Sequence, residues 1–128
     1  MTPLYAASLK GHTEVVKLLL DASADVNKAT LNHVTPLHIA SQKGHIKIVK
    51  LLLDAKANVN AITRFGEEVY TSLRFTRDGG YTSIVALLKK NGAKEQSQSQ
   101  AFDNLYNLNY SIYLCLFTFL LYLPSVLA

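Results

Sequence analysis

Residues 35–45 read TPLHIASQKGH, and residues 2–12 read TPLYAASLKGH, nearly the same eleven letters 33 positions earlier. Laid over one another, segments 2–34 and 35–67 share 19 of 33 residues, with matches running through VKLLLDA to Val26-Asn27 and Val59-Asn60. A self-similar period of about 20–50 residues marks stacked units that cannot bury their apolar faces alone. A third copy follows at an offset of 36, where YTSLRFTRDGGY sets Thr71, Leu73 and Gly80 against Thr35, Leu37 and Gly44. Its continuation SIVALLKKNGA keeps Ile84, Val85, Leu87, Leu88 and Ala93 of the same framework.

Each unit holds two apolar segments of helical spacing, 37–42 and 46–53 in the second copy, separated by Lys43-Gly44-His45. The spacing predicts two short antiparallel helices. Pro36 suits the first turn of the inner helix, where its missing N–H would be unbonded anyway. Gly44, like Gly11 and Gly80 in the other copies, suits the left-handed residue that ends it. IKIVKLLL places Ile48, Val49, Leu51, Leu52 and Leu53 on a broad apolar face, with Lys47 and Lys50 toward water. Fully burying one such side chain contributes about 1.5–3 kcal/mol. Neighbouring units must cover what a two-helix hairpin cannot, so stability becomes a sum of unit and interface contributions.

TPLHxA, then GH, then IVKLLL, then A-x-VN, at a period of 33, resembles the ankyrin repeat, a family recognised by that period and by its TPLH signature. The resemblance covers residues 2 to about 95. It implies an all-α ankyrin-repeat solenoid of stacked helix-turn-helix units with projecting hairpin loops. It also implies that Thr35 and His38 bond each other and the backbone to fix the tight turn. The first copy has Tyr5 and the third Arg74 in place of that histidine, so the pairing is expected only in the second. With Ser72 for proline and Thr76 for the small alanine, the third unit is expected to be the least stable. The units are 1–34 (N-terminally incomplete), 35–70 and a degenerate 71–95.

The rest of the chain is a different polymer. Residues 1–95 hold all 13 Lys and Arg and eight of the nine acids, a net of +5, whereas 101–128 hold Asp103 alone. QSQSQ at 96–100 opens a polar linker, residues 96–104. Residues 105–128 form an apolar tail, expected to be a C-terminal apolar helix. Its run from Tyr110 to Ala128 is 19 residues, against about 20 needed to span a bilayer. Tyr106, Tyr110 and Tyr122 near its ends and Lys89, Lys90 and Lys94 before it suit a tail anchor. A cap over the third repeat or translated non-coding sequence are the alternatives. Asn109-Tyr110-Ser111 reads as a chance glycosylation sequon. A lone Cys115 and no visible signal peptide suit cytoplasmic repeats, tethered or not. The chain opens at Thr2 without a preceding hairpin half, and Leu4, Ala7, Val15, Val16 and Leu19 resemble interior residues of an array, so it reads as a fragment of a longer repeat protein.

Chemistry is sparse. His12 and His45 occupy one repeat position in successive copies, no histidine pair has the i, i+3 or i, i+4 spacing of a helical metal site, and the single cysteine has no thiol companion. No metal and no cofactor are expected. There is no phosphate-binding glycine loop or nucleophile elbow, and Glu67-Glu68 are adjacent on a loop, so no catalytic residue is assigned. Lys17, Lys47, Lys50, Lys89 and Lys90 read as the solvated faces of outer helices without interleaved aromatics, which disfavours nucleic acid.

What remains is a protein partner. The resemblance implies binding through hairpin tips and inner helices, which here carry Asn32 and His33 at one tip, Arg64 and Phe65 at the next, and Leu9, Lys10, Gln42, Lys43, Arg74 and Arg77 on the inner helices. Arginine and aromatic side chains are enriched among binding hot spots. A three-residue insertion around Arg64-Phe65-Gly66-Glu67-Glu68 should push the second tip outward, although Phe65 packing beneath the third repeat is an equal reading. The expected function is a non-catalytic interaction scaffold. A tail-anchored targeting protein is the first alternative, and a basic nucleic-acid-associated scaffold a weaker one.

Overall fold

The computed structural model describes residues 1–95 and residue 116, and the expected apolar helix and tether of 105–128 lie outside the described residues apart from Leu116. Residues Met1–Glu95 form one compact unit. Its elements in chain order are α1 (Pro3–Lys10), α2 (Thr13–Asp21), α3 (Pro36–Lys43), α4 (Ile46–Asp54), β1 (Thr63–Phe65), β2 (Glu68–Tyr70), α5 (Ser72–Asp78) and α6 (Thr82–Lys90). Three helix pairs result, with inner helices α1, α3 and α5 packed side by side and outer helices α2, α4 and α6 packed in the same order behind them. Among the described residues no helix is long and apolar enough to cross a membrane.

Local sequence explains the helix ends. Thr2, Thr35 and Thr71 each stand in extended backbone before an inner helix and accept the N–H of the residue three ahead, satisfying one of the donors a helix start leaves free. Gly11 and Gly44 close α1 and α3 at φ +77° and +74°, a left-handed conformation that costs other L-residues about 1–2 kcal/mol. A single core joins all three pairs, built on Leu4, Leu37, Leu73, Val16, Ile48, Leu52, Ile84 and Leu88. Small residues, Ala7 and Ser8 in α1 and Ala40 and Ser41 in α3, lie wholly buried between the inner helices and let them approach.

One side-chain device recurs at each junction between units. The His45 ring covers Gly11 so closely that an added Cβ would sit 2.8 Å from it, and Tyr81 covers Gly44 at 2.5 Å. Asn27 Oδ1 accepts the Asn58 N–H at 2.7 Å, and one unit later Asn60 Oδ1 accepts the Lys94 N–H at 2.9 Å. These loop-to-loop bonds repeat at the same structural position, so the register of each unit on the next is set twice.

The structure departs from the all-α expectation at the insertion. Residues 63–70 are not a longer loop but a two-stranded antiparallel hairpin, pairing Thr63 with Tyr70, Arg64 with Val69 and Phe65 with Glu68. The third unit departs from its siblings in another way. Arg77, Lys89 and Glu95 occupy the positions of Ser41, Leu53 and Val59, and Arg77 and Lys89 both pair with Glu95. Three positions that are buried or half-buried in the second unit thus become a charged cluster in the third, in which one carboxylate serves two cations.

Candidate protein-binding surface

The second tip owes its shape to Gly66. The two-residue turn Gly66-Glu67 takes φ +65° at the glycine and no positive φ at Glu67, the pattern of a hairpin turn with glycine first. Phe65 then meets the Tyr70 ring edge-on at 5.6 Å and the Phe75 ring of α5 at 6.2 Å, while Tyr70 stacks on Phe75 at 5.0 Å. Both sequence readings of Phe65 meet here, because its ring rests on the third unit and yet stays 48% exposed.

Arg74 locks the hairpin to α5. Its Nη1 donates to the Val69 carbonyl at 2.8 Å, its Nη2 donates to Glu68 Oε2 at 2.7 Å, and its guanidinium lies 4.1 Å from the Tyr70 ring centre. The Tyr70 hydroxyl donates to the same Glu68 oxygen at 2.7 Å. That hydroxyl, and then the Arg74 charge, hold the Glu68 carboxyl below its ordinary range, and the same bond raises the Tyr70 phenol. In the third unit arginine therefore takes the place of the TPLH histidine, gripping the strand before its own helix.

In the second unit the histidine looks forward instead. The Thr35 N–H donates to His38 Nδ1 at 3.0 Å and the ring's Nε2 lies 2.8 Å from the Ala61 carbonyl. An N–H can only donate and a carbonyl only accept, so the ring is the neutral tautomer with its proton on Nε2. Thr35 Oγ1 sits 3.0 Å from Nδ1 and accepts the His38 N–H at 3.2 Å. The Thr35–His38 pair thus fixes both the start of α3 and the segment just before β1. Thr2 and Thr71 keep the backbone cap over Tyr5 and Arg74, but not the histidine's forward bond.

The first tip is a tight turn in which the His33 N–H donates to the Thr30 carbonyl and the Thr30 N–H to the Val34 carbonyl, with His33 at φ +60°. Asn32 and His33 are exposed on it. The Thr63 hydroxyl donates to the Asn32 carbonyl at 2.7 Å, which ties the two tips together and sets Asn32 and His33 beside Arg64 and Phe65. Leu9, Lys10, Gln42 and Lys43 sit at the far ends of α1 and α3, about 12 Å along an eight-residue helix from the tips. Lys10, Gln42 and Lys43 are exposed there, while Leu9 is half-buried and its carbonyl faces His45 Nε2 at 3.3 Å. Arg74 and Arg77 are drawn into contacts within the chain, Arg74 with the hairpin and Arg77 with Glu95.

Sequence reasoning missed two residues of this surface. Leu31 stands 99% exposed on the first tip and Ile62 47% exposed beside β1. A leucine among the polar residues Thr30, Asn32 and His33 was the available signal for the first.

Comparison with known proteins agrees with this architecture. The family model described as Ankyrin repeats (3 copies) matches residues 1–63. Among solved structures, the human ASB11 ankyrin repeat domain is similar at 34% identity and a TM-score of 0.69, over 75% of this chain and 42% of that one. The chain thus spans less than half the length of that relative. No curated protein sequence matches it.

Proposed function

With the chain belonging, through its repeats, to the ankyrin repeat family, we propose that it is a non-catalytic protein-binding module whose contact surface is the pair of joined hairpin tips. The observation that carries this reading is the pre-organised second tip. Phe65 and Arg64 are displayed on a hairpin held by Arg74, Tyr70 and Phe75, next to an exposed Leu31. Rigid presentation lowers the ordering cost of binding, and an exposed aromatic beside an arginine has the composition of a hot spot. Lys10, Gln42 and Lys43 extend the surface along the inner helices, with Leu9 at its margin.

The test is capture of partners by the full chain, compared with an Arg64→Ala/Phe65→Ala variant and a Lys17→Ala/Lys50→Ala variant altered on the outer helices. Loss of the same partners only in the tip variant is the expected result. Equal capture by all three chains would sink the reading. Loss that follows the lysines, with a steep salt dependence, would favour a nucleic-acid-associated scaffold instead.

A finer part of the proposal concerns residues 105–128, which support a membrane tether by their apolar length and absence of charge. The repeats would then face the cytoplasm. Carbonate extraction of cells expressing the full chain and a form stopped at Gln100 tests it. Only the full chain should remain with membranes, and extraction of both forms would refute the tether.

A further inference from the structure

Seven tyrosines are spread along the chain, and Tyr70 alone follows two adjacent acids, in the run Glu67-Glu68-Val69-Tyr70. Among the described residues it is also the one tyrosine that stands in a strand, since Tyr5 lies within α1 and Tyr81 opens α6 with its ring laid over Gly44. β2 pairs with β1 on one side, and beyond it Arg74 grips the backbone by donating to the Val69 carbonyl. The Tyr70 ring stacks on Phe75, but its hydroxyl is at the surface, where it and Arg74 Nη2 each donate to the same Glu68 oxygen at 2.7 Å. An extended segment that leads with acids and ends in a surface hydroxyl is a substrate form that kinases select by charge pattern.

The geometry points to Tyr70 as a phosphorylation site for a tyrosine kinase that selects acidic residues before its target, and to the phosphate as a release for the hairpin tip. In the transfer the phenolic oxygen attacks the γ-phosphorus of ATP, the bond from that phosphorus to the bridging oxygen breaks so that ADP leaves, and the phenolic proton passes to the kinase's catalytic aspartate. The product carries about −1.5 to −2 charge at pH 7. Its phenolic oxygen no longer donates to Glu68, so a bond becomes a repulsion between two anions. Arg74 is the cation at hand, because its Nη2 shares that Glu68 oxygen, and its planar fork binds two phosphate oxygens at once. In turning to the phosphate it gives up the Glu68 carboxylate and the Val69 carbonyl, its two hydrogen bonds from α5 to β2. The pre-organisation of Arg64 and Phe65 goes with them, so the modified tip binds more weakly. That last step rests on the tips being the binding surface, whereas the modification and the exchange of partners by Arg74 do not.

The experiment treats the full chain with ATP, Mg²⁺ and a purified tyrosine kinase of that acidic preference, and maps phosphate on tryptic peptides, of which residues 65–74 carry Tyr70. Phosphate on that peptide is expected, absent in Tyr70→Phe and entering about threefold more slowly in Glu67→Gln, a turn residue outside the Glu68–Arg74 pair. No phosphate on that peptide, or an equal rate in Glu67→Gln, would overturn the site. For the release, ³¹P NMR of the phosphorylated chain should place the second phosphate ionisation about one pH unit below that of an equally phosphorylated Arg74→Gln chain, and amide exchange in β1 and β2 should quicken severalfold on phosphorylation. Superposable titrations or unchanged exchange would overturn the release. Capture of partners separates this inference from the reading it rests on. Capture lost in Arg64→Ala/Phe65→Ala with no phosphate at Tyr70 keeps the binding tips and removes the switch, whereas phosphate and faster exchange with unchanged capture removes the tips as the binding surface.

Discussion

His38 shows how much one side chain does in this fold. Buried beneath the second tip and edge-on to Phe75 at 6.0 Å, it spends both ring nitrogens on backbone groups from two different segments. Burial lowers its pKa below the ordinary 6.5, and the bond to the Ala61 carbonyl opposes that only in part. The unfolded chain therefore takes up a proton near pH 6.5 that the folded chain resists, so stability is fully present above that pH and declines as pH falls toward the lowered value. The wild-type urea midpoint should drop between pH 7 and 5.5, and His38→Gln should flatten that dependence. At pH 7.5 His38→Ala should cost about 2–4 kcal/mol, because the Thr35 N–H and the Ala61 carbonyl are left without their partner. A variant as stable as wild type would show that water replaces the ring at no cost.

The elements are set by punctuation, and the glycines test that claim. Gly44 has both a left-handed backbone and Tyr81 within 2.5 Å of a would-be Cβ, while Gly66 has a left-handed backbone and open space. Gly44→Ala should therefore cost about 2–4 kcal/mol, conformational strain plus overpacking, and Gly66→Ala about 1–2 kcal/mol from strain alone. Equal losses in denaturant midpoint would remove the packing share of the argument. The same punctuation made the helices legible in advance, since Pro36, Gly44 and the apolar spacing of IKIVKLLL bound α3 and α4 to within a residue or so. A hairpin tip at Arg64-Phe65 was expected from the resemblance, but its pairing as two strands and its seat on Phe75 were hidden, because a three-residue insertion carries no register until Gly66 is seen to turn it back. The fate of Arg77 was hidden for a related reason: its partner Glu95 lies 18 residues away, and periodicity carries no such information.

At the scale of the whole repeat unit, stability is a sum over junctions, and the two junctions are not equally made. Between the first and second units the Asn27 side chain makes one bond, accepting the Asn58 N–H through Oδ1, beside the Thr63–Asn32 bond between the tips. Between the second and third the equivalent Asn60 side chain makes two, accepting the Lys94 N–H and donating through Nδ2 to the Gly92 carbonyl at 3.1 Å. The third unit has poorer consensus, with Ser72 for Pro36 and Arg74 for His38. It answers with buried Thr76 bonded to the Leu73 carbonyl, the Arg74 clamp and the charged cluster of Arg77, Lys89 and Glu95. Ser41 and Arg77 make the division of labour testable. Ser41→Arg buries a charge between α3 and α5 and should abolish folding of the second and third units, whereas Arg77→Ser removes only an exposed pair and should cost under about 1 kcal/mol. Hydrogen exchange resolves the junctions themselves. Asn60→Ala should make the amides of α6 exchange ahead of those in α3 and α4, because the third unit then opens separately from the rest. Asn27→Ala, losing one bond of about 0.5–1.5 kcal/mol, should speed exchange in α2 by a smaller factor. If both variants instead accelerate exchange uniformly from α1 to α6, the three units open as one body, and the asparagine bonds do not set the boundaries between them.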